Sequence, residues 1–334
     1  MELSHFQYDY PQELVAQHPL PERDSSRMMV VNRARKNWEH KGVCDLPEFL
    51  RAGDLLVMND TKVFPARLVG ENKEGKQIEV LLLEGRNNKW RGLGKPFKKI
   101  KEGMEICFAE NFKGTIVEKQ NGFLEIQFDG ENAEGKIEAF GLPPLPPYIQ
   151  RKERADYSQE DKERYQSIFA KQNGSAAAPT ASLHFSEVLL EKIKAKGVET
   201  AFVTLHVSTD TFLPIRSQNI TQHEMHGERF AVPEATRQKI AVAKKEKRRV
   251  IAVGTTVARA LESDWTKPTT HLFIQSGFEF KIVDGLLTNF HQPQSTLLVL
   301  VSAFAGRELI LRAYEEAIGR KYRLFSYGDC MLVV

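Results

Sequence analysis

His184 ends a run of small residues, NGSAAAPTASLHF (Asn173–Phe185), that also carries Ser175, Pro179 and Thr180. Small side chains let backbone come close to a ligand, and polar side chains follow at once, which is how binding pockets are often built. The same residues also read as a packed turn before the helical pattern SEVLLEKIKAK (Ser186–Lys196), and both readings stay open. Two more histidine-bearing pieces, VTLHV with His206 and TNFHQP with Asn289 and His291, put polar groups at the end of an apolar run, and between them lies HEMH with His223 and His226. An imidazole takes up and returns a proton near neutral pH, so proton-transfer chemistry is what these residues offer.

Anion recognition has its own candidate. VIAVGTT puts Gly254, Thr255 and Thr256 between a strand-like run and a helix, where free backbone N–H groups and hydroxyls suit a carboxylate or phosphate. A plain helix cap is the equal alternative. Asn59 and Asp60 end the apolar run LLVM, either as ligand contacts beyond a strand or as turn formers. SYGD near the C-terminus, with Tyr327 and Asp329, reads as a turn or a site edge. His223 and His226 stand one helical turn apart but lack the HExxH pattern, so no metal is expected, and substrate contact or simple surface is the better reading of His226.

A polyanion signal lies in RNNKWRGLGKPFKKIK (Arg86–Lys101), with seven basic residues, no acidic one, and two aromatics. Lys89, Arg91, Lys95, Lys98 and Lys99 would neutralise phosphates while Trp90 stacks on an unpaired base. The alternative is a basic hairpin exposed to water. KKEKRR (Lys244–Arg249) sits where cations complement a helix C-terminus, and needs no ligand.

The elements that must position these groups follow from pattern and length. At 334 residues the chain predicts about two domains. Strand, helix and strand alternate after residue 172, which argues for an α/β domain with a mixed sheet. Between Arg67 and Phe140, short β-rich pieces (QIEVLLLE, MEICFAE, GTIVEK, FLEIQFD) recur between Gly and Asn turns, as in a small β-barrel. The stiff GLPPLPPYI (Gly141–Ile149) closes it. We therefore expect a discontinuous α/β domain of residues 1–66 and 151–334, interrupted by a β-barrel over 67–150. A third strand is expected at THLFIQSG, one long apolar helix after His291, and a buried strand at the C-terminus.

Three scattered cysteines, an acidic and aromatic first segment, and a longest apolar run of nine residues (Leu297–Ala305) predict a cytoplasmic protein without disulfide or membrane span. GxGxxG, Walker and GxSxG fingerprints are absent, so standard nucleotide and hydrolase sites do not apply.

Nine segments in order carry a resemblance over nearly the whole chain: ELVAQHPLPERDSSR, GDLLVMNDTKVFPARL, GLPPLPPYI, SAAAPTASLHF, VTLHV, HEMHGE, VIAVGTT, DGLLTNFHQPQSTLLVLVSAFAG and YRLFSYGDCML. Together they resemble the S-adenosylmethionine:tRNA ribosyltransferase-isomerases of queuosine biosynthesis. The resemblance implies transfer and isomerisation of the ribosyl part of S-adenosylmethionine onto 7-aminomethyl-7-deazaguanine at the tRNA wobble position, giving epoxyqueuosine, adenine and methionine. It implies no metal and no separate cofactor, since S-adenosylmethionine is a substrate, and a monomer is expected. His184, His206, His291 and Asn289 are the catalytic candidates it suggests. Substrate contact is expected at Asn59, Asp60, Arg67, Ser175, Pro179, Thr180, His226, Gly254, Thr255, Thr256, Tyr327 and Asp329.

The chain also departs from the family. Ser208, Thr209, Asp210, Thr211, Phe212 and Leu213 stand where a glycine-containing turn is usual, and Val257, Ala258, Arg259 and Ala260 replace Ser-Val-Arg-Thr while keeping the Arg. Gly227 takes a common serine's place. A tRNA-binding paralogue that has lost catalysis is therefore the alternative function, and a metal-dependent hydrolase using His223 and His226 is a third.

Overall fold

Met28–Val31 and Leu55–Met58, the short apolar runs of the first sixty residues, become strands buried on both faces, and a sheet grows around them. The computed structural model describes residues 1–151, 156–208, 215 and 217–334. Strands β1 (Arg27–Asn32) and β2 (Asn37–Gly42) form a hairpin, and helix α1 (Leu46–Phe49), with Pro47 inside its first turn, leads to β3 (Leu55–Asn59). A short β4 (Thr61–Val63) then hands the chain to the barrel.

Six antiparallel strands close that barrel: β5 (Arg67–Asn72), β6 (Gln77–Arg86), β7 (Lys89–Lys95), β8 (Glu105–Ala109), β9 (Phe112–Gln120) and β10 (Phe123–Phe128). Alternation explains closure, because Ile78, Val80 and Leu82 of β6 point inward with Ile106, Phe112, Ile116, Leu124 and Ile126, while their neighbours face out. Helix α2 (Ala133–Phe140), capped by Asn132 Oδ1 accepting the Gly135 amide at 3.1 Å, adds Ala133 and Ile137 to the same core. The proline-rich exit then lies beside the entry, with the Leu142 amide donating to the Arg67 carbonyl at 2.8 Å.

After α3 (Gln159–Arg164), β11 (Gln172–Ser175) pairs with β4. Then follow α4 (Glu187–Ala195), β12 (Glu199–Leu205), β13 (Glu228–Ala231), α5 (Glu234–Lys245), β14 (Val250–Val253), α6 (Thr255–Glu262), β15 (Thr269–Thr270), β16 (Gly285–Asn289), α7 (Thr296–Ala305), α8 (Arg307–Gly319) and β17 (Cys330–Val333). Among the described residues the large sheet has nine strands in the order β15-β13-β12-β3-β14-β16-β17-β1-β2. Its centre, β12-β3-β14-β16, is all parallel; β17 opposes β16. Leu55 and Val57 face a core shared with α5 to α8, while Leu56 and Met58 face one shared with α1 and α4, so helices cover both sides.

An α/β unit with a mixed sheet interrupted by a small β-barrel is thus both the expected and the observed fold class. Two elements differ from expectation. Of THLFIQSG only Thr270 is strand, as the end of β15; two residues on, the Leu272 carbonyl accepts from Arg259 Nε at 3.1 Å instead of from a neighbouring strand. The long helix after His291 is two helices, broken at Gly306, whose φ of 92° ends α7. Among the described residues no helix is long and apolar enough to cross a membrane, and all three cysteines are free.

Candidate active site

Four parallel strands deliver their C-terminal ends to one edge of the sheet. His206 follows β12, Asn59 to Thr61 end β3, Gly254 to Thr256 follow β14, and Asn289 to His291 end β16. Since β17 runs the other way, Tyr327 to Asp329, just before it, arrive at the same edge. Ligands of open α/β sheets bind beyond such strand ends. The small-residue stretch lies across this edge, pinned where the Val207 amide donates to Ser175 Oγ at 2.8 Å and the Ala176 amide donates to the Val207 carbonyl at 3.1 Å.

Why this stretch is small is now explained by packing. Ala176 enters the barrel core, Ala177 one sheet core, Ala178 a cluster with Leu145 and Tyr165, and Ala181 the opposite sheet core. Four hydrophobic clusters meet within six residues, and a larger side chain at any of them would overpack its cluster. Gly174 has a different reason: with φ at 138°, a Cβ there would stand 3.1 Å from the His206 ring.

Two adjoining hollows open at this edge, of about 330 and 360 Å³ with their mouths included, and share Thr180, His291 and Leu297. The first adds Tyr148, Asn289 and Ser326; the second adds Pro179, Gly254, Thr255, Thr256 and Thr288. A third hollow, joined to the first through Ser326, is lined by His184 and Tyr327 among others. The structure thus brings together Pro179, Thr180, Gly254, Thr255, Thr256, Asn289 and His291, and places His184 and Tyr327 next door.

His291 is held on both sides of its main chain: its carbonyl accepts from Tyr8 Oη and its amide donates to Tyr314 Oη at 2.9 Å. The ring meets Thr288 Oγ1 through Nε2 at 2.8 Å, and burial pushes its pKa down to about 3. His184 is also buried, and burial lowers it to about 4, with the adjacent Asn289 amide opposing the fall and Arg323 adding to it. Both imidazoles are therefore neutral at pH 7. Asn289 Nδ2 donates to the Phe325 carbonyl at 3.0 Å, but among the described residues neither Asn289 Oδ1 nor His184 Nε2 meets a partner in good hydrogen-bond geometry. Buried polar atoms left so are costly unless a ligand completes them. Phe325, at φ 69°, holds a strained conformation beside them, as site residues often do.

At α6, Gly254 has φ 95° and the first turn carries no side-chain cap. Thr256 Oγ1 is buried without a partner among the described residues and lines the second hollow. An uncapped helix start with a free hydroxyl suits a carboxylate.

Other expected site residues lie elsewhere. Asn59 is no ligand contact: its amide accepts from Thr61 and Leu205 at 3.1 Å and donates to the Leu205 carbonyl at 2.9 Å, continuing the strand pairing past the end of β3. Ser175 and Asp329 are likewise taken up, the latter by Arg27 and the Arg323 amide. Asp60 accepts from Thr204 Oγ1 at 2.6 Å, with burial raising its pKa and that bond opposing the rise; Arg67 pairs with Glu79 at the barrel entry. Both are outside the three hollows. His206 is outside them too, bonded through Nδ1 to Thr61 Oγ1 at 2.8 Å, with burial first and then Arg229 lowering its pKa.

His223 and His226 lie on irregular chain, not a helix, so their spacing does not gather them on one face. His226 packs edge-on against Phe123 of the barrel, at 6.3 Å between ring centres. Among the described residues no group of three or more His, Cys, Asp or Glu could hold a metal.

The basic barrel segment divides. Trp90 cannot stack on a base, since it is buried against Phe64 with Nε1 donating to the Asn87 carbonyl at 3.0 Å. Lys89 pairs with Glu125 and Arg91 with Glu84, the latter guanidinium also lying over Phe123. Lys95, Lys98 and Lys99 are exposed and make no ion pair among the described residues.

The profile of the family described as Queuosine biosynthesis protein matches residues 3–333. Curated relatives named S-adenosylmethionine:tRNA ribosyltransferase-isomerase are similar end to end: one from Sulfurihydrogenibium sp. is 46% identical over 340 residues, covering 100% of both chains, and one from Aquifex aeolicus is 45% identical over 339 residues with the same coverage. The chain belongs to the queuosine biosynthesis family. A crystal structure of the S-adenosylmethionine tRNA ribosyltransferase from Thermotoga maritima is 36% identical, covers 99% of this chain and 100% of its own, and superposes with a TM-score of 0.56. Membership in the queuosine biosynthesis family makes this chain an enzyme of the transferase and isomerase kind.

Three contributors to the site escaped sequence reading. Tyr148, from the proline-rich exit, bonds Ser326 at 2.7 Å and lines the first hollow with it. Thr288 hides within an apolar strand. The third is a buried ion pair between Arg259 and Glu228, both almost fully covered. Glu228 also accepts the Ser208 amide at 3.0 Å, so one pair ties together the ends of VTLHV, HEMHGE and VIAVGTT. The Arg kept after VIAVGTT is the visible half of that signal. Thr209 to Phe212 and Leu213, where the sequence departs from the family's glycine turn, lie outside the described residues.

Proposed function

We propose that the two joined hollows bind S-adenosylmethionine and that the enzyme transfers and isomerises its ribosyl part onto 7-aminomethyl-7-deazaguanine at the wobble position of tRNA. Epoxyqueuosine in the tRNA, adenine and methionine are the products. What carries this reading is that Thr180 and His291 line two adjoining hollows, one of which reaches an uncapped helix start, within a chain similar end to end to proteins of that name.

The donor's carboxylate sits at the start of α6, near Thr255 and Thr256, where helix-end amides and the free Thr256 hydroxyl complement it. Its sulfonium and ribose then fall toward Thr180, Asn289 and His291. The positive sulfur acidifies the adjacent C5′ hydrogens, one of which a base must take, and adenine needs a proton or hydrogen bond as it leaves. The acceptor's amine joins the opened sugar, and a ribosyl hydroxyl displaces methionine to close the epoxide. His184, beside the Asn289 amide and lining the adjoining third hollow, is the proton carrier in this reading. Neutral His291, which lines both hollows and is fixed through Thr288 and two tyrosines, serves as an oriented hydrogen-bonding group there. Lys95, Lys98 and Lys99 offer unneutralised charge to the tRNA backbone.

Equilibrium dialysis with labelled S-adenosylmethionine tests the donor site. Thr256→Ala and Asn289→Ala should each weaken binding by roughly tenfold, as the loss of hydrogen bonds to charged or buried groups does. Wild-type affinity in both variants would place the donor elsewhere.

A further inference from the structure

The third hollow is bordered by guanidinium groups that no acid among the described residues neutralises. Arg23 donates to the carbonyls of Leu183 at 3.3 Å and Glu163 at 3.1 Å, and Arg164 to those of Pro21 at 2.9 Å and Leu20 at 2.7 Å. Behind them Arg323 donates to the His18 carbonyl. Main-chain carbonyls orient a guanidinium without cancelling its charge, and none of the three makes an ion pair among the described residues. Asp329 is near enough to favour the charge on Arg323 but is itself bonded to Arg27, and Glu22 stands exposed at the mouth. Burial lowers the pKa of Arg23, and Arg164 beside it lowers it further, so the two cations repel. Into the same hollow face two side chains more than nine-tenths buried, His184 and Tyr327; among the described residues Tyr327 Oη has no partner and His184 Nε2 has only the poorly aligned Asn289 amide, while Arg164 Nε and Arg323 Nη1 are also open.

We propose that this hollow holds a phosphodiester group of the RNA substrate, next to the nucleotide being modified. The inference rests on the proposed function and names a part of it that no motif revealed. Planar guanidinium forks match phosphate oxygens, and histidine and tyrosine add donors to the same oxyanion. The carboxylate of the donor is the other oxyanion in the reaction, and charge argues against it here. S-adenosylmethionine carries a sulfonium and an ammonium beside its carboxylate, which unpaired arginines repel, whereas a phosphodiester brings no cation. The start of α6 already offers the carboxylate a seat. An anion in the hollow also favours the protonated form of the adjacent His184, so RNA binding would ready that imidazole for proton transfer.

The test uses the full chain, labelled S-adenosylmethionine, and a tRNA anticodon stem-loop as the RNA probe. Arg23→Gln with Arg164→Gln should weaken stem-loop binding roughly tenfold or more. It should also flatten the slope of log affinity against log salt by about 0.7 for each phosphate that is no longer neutralised. Donor affinity should stay within about twofold of wild type, and the charge-keeping pair Arg23→Lys with Arg164→Lys should retain most of the salt slope. Loss of donor affinity with an unchanged RNA slope would assign the hollow to the carboxylate and overturn the proposal. So would unchanged binding of both ligands, or an equal loss of both in the Gln and Lys variants together with a lowered melting temperature. A wild type that binds neither ligand would fail the functional reading itself, and the hollow's assignment with it.

Discussion

Replacing Arg259 by Met removes the guanidinium that Glu228 faces in the interior while keeping much of the side-chain volume. The two side chains are 4% and 3% exposed, so water cannot take the missing partner's place. Breaking one side of a buried pair costs about 3–5 kcal/mol, because the remaining charge stays desolvated. The Ser208 amide still donates to Glu228 at 3.0 Å, but a neutral donor stabilises a buried carboxylate less than a guanidinium does. For a chain of this size the melting temperature should fall by about 4–7 °C, read by scanning calorimetry. Removing both charges, with Glu228→Met added to Arg259→Met, should recover much of the loss, since the carboxylate that loses its guanidinium is then gone as well. A single variant within about 1 kcal/mol of wild type in denaturant titration, or a double variant less stable than the single, would refute the view that this pair is what ties the three motifs together.

Acid should destabilise the protein through His184: its pKa is 6.5 when exposed and about 4 in the fold, so protonation favours the unfolded chain. Stability then falls as pH drops below 6.5 and levels off below about 4, by about 3 kcal/mol in all from this residue. His184→Gln should show a shallower decline across pH 7 to 4 in urea titrations, and parallel curves would contradict the burial argument. Gly254→Ala should destabilise by roughly 1–3 kcal/mol in the same assay, because φ 95° with ψ 152° is a backbone region that only glycine adopts readily, while the nearest atom to an added Cβ, Thr256 Oγ1, is a comfortable 3.5 Å away. No loss would mean the helix start is not fixed as described. Trp90→Phe should leave stem-loop affinity unchanged, whereas Trp90→Ala should cost the barrel about 3–5 kcal/mol. Weakened RNA binding by a stably folded Trp90→Phe variant would restore the stacking role.

The layout was legible because its signals are periodic. Inward alternation in QIEVLLLE and its companions marks a barrel, and runs such as LLVMN and VIAV mark strands covered on both faces. The helix that proved to be two was misread because Gly306 lies between two apolar segments that share one pattern. Site chemistry was less legible, since hydrogen bonds are not periodic. Asn59 and Asn289 look alike at their strand ends, yet one amide is saturated by backbone and the other keeps an open oxygen. Trp90 among lysines suggested stacking, but its place on β7 points it inward. The alanines around Pro179 read as room for a ligand and proved to pack into four separate clusters. The arginine hollow joins residues separated by up to 300 positions, so no local spacing could announce it.

The central claim is turnover at the joined hollows. Mass spectrometry after mixing the protein with S-adenosylmethionine and tRNA bearing 7-aminomethyl-7-deazaguanine tests it most directly. The account predicts an epoxyqueuosine nucleoside in the tRNA, with equal amounts of adenine and methionine, and their loss in His184→Ala. Tight tRNA binding with none of these products would contradict it and leave a binding paralogue as the better description.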